Sequence, residues 1–204
     1  MGSFTYENND RNEKLETYEW DNVWIDHADN PDARRVLYIG DSISCGTRHE
    51  ATKKTNEELL FDGFGTSKGI DNPYFMRAVS LFAAQEGKRE AVIFNNGLHG
   101  WHLDDETEYK NYYEEMIKAL LKEFSDTPLY IVLTTYVTDA ERANRVIVRN
   151  KVAAEIAKKY SLPVIDLYSV SLKHKDLISS DGVHFSKEGY EKLAEEIIKS
   201  LNNA

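Results

Sequence analysis

Val36-Leu37-Tyr38-Ile39-Gly40-Asp41-Ser42 begins with an unbroken apolar run, stops at a glycine and then turns polar. A strand with one face in water alternates apolar and polar residues, whereas an unbroken run fills both faces, as in a buried parallel sheet. Gly40 ends that strand and leaves Ser42 just past its carboxyl end. Working outward, similar runs recur at Leu59-Leu60-Phe61, Ala91-Val92-Ile93-Phe94, Leu129-Tyr130-Ile131-Val132-Leu133 and Pro163-Val164-Ile165-Asp166-Leu167. The intervening segments have helical spacing. Asn72-Pro73 opens a helix carrying Phe75, Val79 and Phe82, with Pro73 near its first turn. A second helix is expected from about Asp105 to Phe124, with Tyr109, Tyr113, Ile117 and Leu120 or Leu121 on one face. A third is expected over 141–160, with Val146, Val148, Val152, Ile156 and Tyr160. A last one runs from Ser186, a good N-cap, to about Leu201. Residues 43–57 are polar and follow neither period. Strands alternating with helices predict an α/β fold, a three-layer α/β/α sandwich around a mostly parallel five-stranded sheet.

Composition agrees with one such domain. The chain has 204 residues, 41% hydrophobic and 11% aromatic, enough for one full core and short for two. Residues 1–34 read as an irregular, charged lead-in whose Tyr18, Trp20, Trp24 and Ile25 pack on the domain formed by residues 35–204. With 25 Lys+Arg against 35 Asp+Glu, the net charge is −10. Such a surface repels phosphate backbones and anionic lipid, so neither a nucleic acid nor a membrane is expected as partner. No apolar run approaches the ~20 residues of a membrane span, and the polar start does not read as a signal peptide; a cytoplasmic protein is expected. A single cysteine, Cys45, excludes an internal disulfide framework and a cysteine-based zinc finger.

Ligands of open parallel sheets bind beyond the carboxyl ends of the strands. Ser42 lies there, and a serine on rigid backbone is a nucleophile if a base reaches it. It is not the nucleophile elbow of α/β-hydrolases, since Ser44 stands where that motif needs glycine. Near the other end, Asp181-Gly182-Val183-His184 places a carboxylate and an imidazole three residues apart before the last helix. On a tight turn Asp181 can accept from Nδ1–H of His184, leaving the other ring nitrogen to take a proton from a hydroxyl. His99 and His102, with Asp104 and Asp105 nearby, have a spacing that metal ligands use, but a third ligand of suitable geometry is not evident.

Gly40-Asp41-Ser42 together with Asp181-x-x-His184 resembles the GDSL, or SGNH, hydrolase family. Order, position and strand–helix alternation all match, from Val36 to Leu201. The resemblance implies a flavodoxin-like sandwich of the SGNH type. It also implies a catalytic triad, with Ser42 as nucleophile, His184 as general base and acid, and Asp181 orienting His184. The family's middle blocks supply oxyanion-hole donors besides the Ser42 N–H. Gly63-Phe64-Gly65-Thr66-Ser67 looks like the glycine block, with the Gly65 N–H as donor and Gly63 as the alternative. Gly97-Leu98-His99-Gly100 departs from the usual Gly-x-Asn block and resembles a sub-group with Gly-Leu-His. His99 then takes the asparagine's place, with Asn96 or Asn95 as alternatives. A neutral histidine has one N–H to donate. Trp101, His102 and Tyr136 are expected to line the substrate cleft.

The function expected is a serine-dependent ester hydrolase that removes a short acyl group, acetyl first, from a carbohydrate-type alcohol, with a small-molecule or saccharide ester as partner and no cofactor. A lipid acylhydrolase or thioesterase on the same fold is the alternative within enzymes. A non-catalytic carbohydrate-binding module is the alternative outside them. A nucleotide-binding module is disfavoured, because the glycine block lacks the lysine of a P-loop.

Overall fold

The structure, a computed structural model, describes residues 15–85 and 87–203. The first part of the lead-in, 1–14, lies outside the described residues. The chain runs β1 (Asp21–Trp24), β2 (Arg35–Gly40), α1 (Ser42–Lys54), β3 (Leu60–Thr66), α2 (Phe75–Ala83), β4 (Ala91–Phe94), α3 (Glu106–Glu123), β5 (Leu129–Val132), α4 (Ala140–Lys159), β6 (Val164–Ile165), α5 (Leu167–Lys173), a 3₁₀ turn (Lys175–Leu177) and α6 (Lys187–Asn202).

The sheet order is β1-β3-β2-β4-β5-β6, with β1 antiparallel to β3 and every other pair parallel. Side chains alternate across the sheet and build two apolar layers. Leu37, Ile39, Val92, Phe94, Leu129 and Ile131 pack against α2, α3 and one face of α4. Val36, Tyr38, Ala91, Ile93, Tyr130 and Val132 pack toward α1, α6 and Val146. This is the α/β/α sandwich expected from the runs of apolar residues.

The five-stranded expectation is corrected to six. The added strand, β1, comes from the lead-in expected to be irregular. Its four residues are all exposed, so it carries no apolar run to read. It is held by the backbone ladder on the free edge of β3, a long-range pairing of Asp21 with Thr66 through Trp24 with Gly63. Residues 43–57, unassigned from sequence, supply α1. That helix has little amphipathic period because most of what it buries is polar: Ser44, Thr47, Arg48 and Thr52 beside Ile43 and Ala51. Gly63 to Thr66 of the glycine block lie inside β3, and Ser67 follows its end. A side chain at Gly63 would run into the buried guanidinium of Arg48, so the glycine lets α1 lie close to the sheet. Among the described residues no helix is long and apolar enough to cross a membrane.

Candidate active site

Gly40 closes β2, and Asp41 caps α1 by accepting the Ile43 N–H at 2.9 Å. Ser42 is thus the first helical residue. Its N–H has no acceptor within the helix, and it sits at the positive end of the helix dipole. Asp41 is buried, and burial raises its carboxyl above the usual carboxylate range.

His184 reaches Ser42 from the segment before α6. Its Nε2 lies 2.8 Å from Ser42 Oγ, and its Nδ1 lies 2.7 Å from Asp181 Oδ2. One carboxylate organises the whole turn. Asp181 Oδ1 accepts the N–H groups of Val183 and His184, each at 2.9 Å, while Oδ2 holds the ring. The Val183 N–H, the His184 ring and the His184 N–H hold the Asp181 carboxyl down at about 2. Gly182 makes the turn with φ +76°, a left-handed conformation that costs side-chain-bearing residues. The Gly182 carbonyl accepts the Thr138 N–H at 2.9 Å, and Ser179 N–H donates to the His184 carbonyl at 2.7 Å. Because Nδ1–H is committed to Asp181, the neutral His184 presents a lone pair to the Ser42 hydroxyl.

Ser42, His184 and Asp181 line a cavity of about 280 Å³ with Leu98, His99, Trp101, Val137, Arg142 and Val183. The structure therefore brings Ser42, Asp181, His184, His99 and Trp101 to one place. The other candidates lie elsewhere. Gly65 pairs with Asn22 on one side and Gly40 on the other, so its backbone faces neighbouring strands, and it does not line this cavity. Asn96 is buried with its amide turned to the Lys68 carbonyl, while its own oxygens accept from Tyr109 OH. Asn95 donates to the Val132 carbonyl and to Thr134 Oγ1. His102 bonds Asp71 at 2.7 Å and lines a neighbouring cavity with Trp101 and Trp20. Tyr136 lies against the Lys175 ammonium, 4.5 Å from the ring centre, outside the cavity. His99 and His102 thus turn to different carboxylates, and no cluster of three or more metal-ligating side chains occurs among the described residues. Burial pushes the Cys45 thiol up, so it is a poor nucleophile; it packs beside Gly65.

His99 sits in a loop held from outside. Arg149 of α4, buried, donates to four carbonyls: Gly97 at 3.1 Å, His99 at 2.5 Å, Gly100 at 2.7 Å and Leu103 at 3.2 Å. Arg145 holds the Trp101 carbonyl at 2.8 Å and pairs with Asp104. The guanidinium groups of Arg142 and Arg145 lie 5.1 and 4.9 Å from the Trp101 ring centre. Only α4's docking shows what these arginines reach, which sequence reasoning does not give. Sequence reasoning missed Glu16 as well, whose carboxylate accepts from His99 and from the Gly100 N–H. Glu16 lies 83 residues before His99, in a segment without a motif.

The profile of the family of GDSL-like lipases/acylhydrolases matches residues 103–197, which include Asp181 and His184. An acetylxylan esterase of Xylanibacter ruminicola is 26% identical over 85% of this chain, which spans 44% of that protein's length. The lipase/acylhydrolase of Enterococcus faecalis superposes with a TM-score of 0.67 at 20% identity, over 83% of this chain and 96% of that one. The acetyl xylan esterase AlAXEase superposes with a TM-score of 0.61 at 16% identity, over 81% of this chain and 98% of that one. The family profile covers the C-terminal block with Asp181 and His184, and the fold is shared with a lipase/acylhydrolase, so the chain is similar to the GDSL-like lipases/acylhydrolases over residues 103–197.

Proposed function

We propose that this protein is a serine ester hydrolase that removes short acyl groups, acetyl above all, from a carbohydrate-type alcohol. The observation that carries the reading is the unbroken chain from Ser42 Oγ through His184 to Asp181, at 2.8 and 2.7 Å, in an open cavity. Ser42 Oγ attacks the ester carbonyl carbon while His184 Nε2 takes its proton. The Asp181 carboxylate stabilises the imidazolium that forms. The negative charge on the carbonyl oxygen is met by the Ser42 N–H at the start of α1 and by a ring N–H of His99. His184 then gives its proton to the departing alcohol, leaving an acyl group on Ser42. A water molecule, deprotonated by His184, attacks that acyl carbon. Carboxylic acid leaves, and the proton returns to Ser42.

Three features favour a short acyl group on a sugar. The cavity is small, about 280 Å³, and its apolar wall of Leu98, Val137 and Val183 suits a methyl group. Trp101 and Arg142 also line it, and an aromatic face beside a guanidinium suits hydroxyl-rich alcohols. A relative in sequence and a neighbour in fold are both named as acetylxylan esterases. The test is a panel of 4-nitrophenyl esters of increasing acyl length beside acetylated xylan oligosaccharides. Turnover is expected to fall steeply beyond the shortest chains and to vanish in Ser42→Ala. Equal turnover of wild type and Ser42→Ala would remove the serine mechanism. Faster turnover of long-chain esters would replace the acetyl reading with a lipid one.

A further inference from the structure

We propose that Glu16 is a positioning residue that keeps His99 as an imidazolium, so that its Nε2–H is available to the oxyanion formed at Ser42. The inference deepens the hydrolase reading and rests on it. Glu16 Oε2 lies 2.9 Å from His99 Nδ1, and Glu16 Oε1 accepts the Gly100 N–H at 2.9 Å. Both carboxylate oxygens are therefore acceptors, and the proton of the first bond resides on Nδ1. A neutral ring with its hydrogen on Nδ1 has a bare lone pair on Nε2, which would repel an oxyanion. Only the doubly protonated ring both holds Glu16 and donates toward the cavity. Nε2 has no protein partner among the described residues, and His99 lines the cavity with Ser42 and His184. An asparagine in that place donates without any such requirement. The histidine therefore makes the lead-in part of the site.

The surroundings are built to hold that state. Glu16 and His99 are each about four-fifths shielded from solvent. The segment carrying Glu16 is fastened: Trp20 N–H donates to Ser67 Oγ at 2.8 Å, and Ser67 Oγ donates to Glu19 Oε2 at 2.9 Å. Trp20 meets the His99 ring edge-on, with centres 5.9 Å apart. The charged groups facing His99 are Glu16 and Glu19 from the lead-in, Asp41 before α1, Arg142 and Arg149 from α4, and His184 across the cavity. Burial pulls the imidazolium down, yet the bond to Glu16 and the charges of Asp41, Glu16 and Glu19 outweigh it and raise His99 above the ordinary histidine range. Glu16 moves the opposite way: burial raises it, and its bonds to His99 and Gly100 leave it lowered.

The sign of the pH dependence follows. A charged His99 is needed as donor, so activity falls as pH rises through the His99 titration. Glu16→Gln keeps an acceptor for Nδ1–H and removes the charge. The kcat of phenyl acetate hydrolysis, followed by pH-stat, is expected to lose its alkaline half about one pH unit earlier in Glu16→Gln, with KM within about twofold. The His99 ring resonances, assigned by their loss in His99→Asn, are expected to titrate lower by the same amount. In His99→Asn the alkaline fall is expected to disappear, because an amide does not titrate. An alkaline limb at the same pH in wild type and Glu16→Gln overturns the proposal, and so does one that survives in His99→Asn. A resonance midpoint that moves while the limb stays put also overturns it, and leaves the serine mechanism standing. Turnover undiminished in Ser42→Ala would instead remove the mechanism, whatever the resonance shows.

Discussion

Replacing Arg149 with methionine tests whether the loop that carries His99 is held by one buried guanidinium. Methionine matches the reach of the arginine stem but donates nothing. Four bonds to backbone carbonyls would be lost, at 2.5 to 3.2 Å. Hydrogen bonds to a charged group contribute about 1.5–3 kcal/mol each when taken singly. Their simple sum overshoots, because burying the guanidinium is itself costly, as its lowered pKa reflects. The loop carbonyls also regain water once the loop opens. A net loss of about 3 kcal/mol is therefore expected. For a domain of this size that lowers the melting temperature by about 6–12 °C. With the loop displaced, His99 no longer aims at the cavity, and kcat should fall about 10²-fold even well below the melting temperature. Arg149→Lys should be intermediate, since an ammonium is a point charge and cannot reach all four carbonyls. The assays are thermal unfolding by circular dichroism and kcat with 4-nitrophenyl acetate at about 20 °C below the mutant's midpoint, a margin that avoids counting unfolded enzyme. An Arg149→Met variant that melts within about 1 °C of wild type with unchanged kcat would refute the argument.

Asp181→Asn should lower kcat between about 10² and 10⁴-fold, since the amide favours the wrong tautomer of His184. Because the Asp181 carboxyl is held at about 2, below the usual ~3.9, its stabilisation is present above the usual value and lost as pH falls through 2; the melting curves of wild type and Asp181→Asn should accordingly converge between about pH 4 and pH 2. Gly182→Ala forces a left-handed φ of +76° on a side-chain-bearing residue and drives its Cβ into Thr138 Oγ1. It should cost at least about 1–2 kcal/mol and reduce turnover together, because the turn carries both Asp181 and His184; unchanged melting would count against it. Trp101→Ala should raise KM for acetylated xylan oligosaccharides about tenfold, about 1.4 kcal/mol, while leaving KM for 4-nitrophenyl acetate nearly constant.

The sequence by itself determined the central strands and both ends of the Ser42–His184–Asp181 chain. The strands were legible because a buried parallel strand must be apolar on both faces, so Val36–Ile39 and Ala91–Phe94 announce themselves locally. The Asp181–His184 turn was legible because its bonds span three residues. The tertiary structure alone decided the rest. β1 is exposed on all four residues and exists through its ladder with β3, which no local pattern encodes. The glycine block follows the apolar run Leu59–Phe61 in the sequence, yet Gly63 and Gly65 lie within β3, where Arg48 and Cys45 of α1 pack against them. Above all, the choice of His99 over Asn96 for the cavity came from partners 50 and 83 residues away, Arg149 and Glu16. Side chains of one loop compete for a single opening. Which of them faces it depends on the groups that the fold packs behind each one, and a linear sequence does not carry that information.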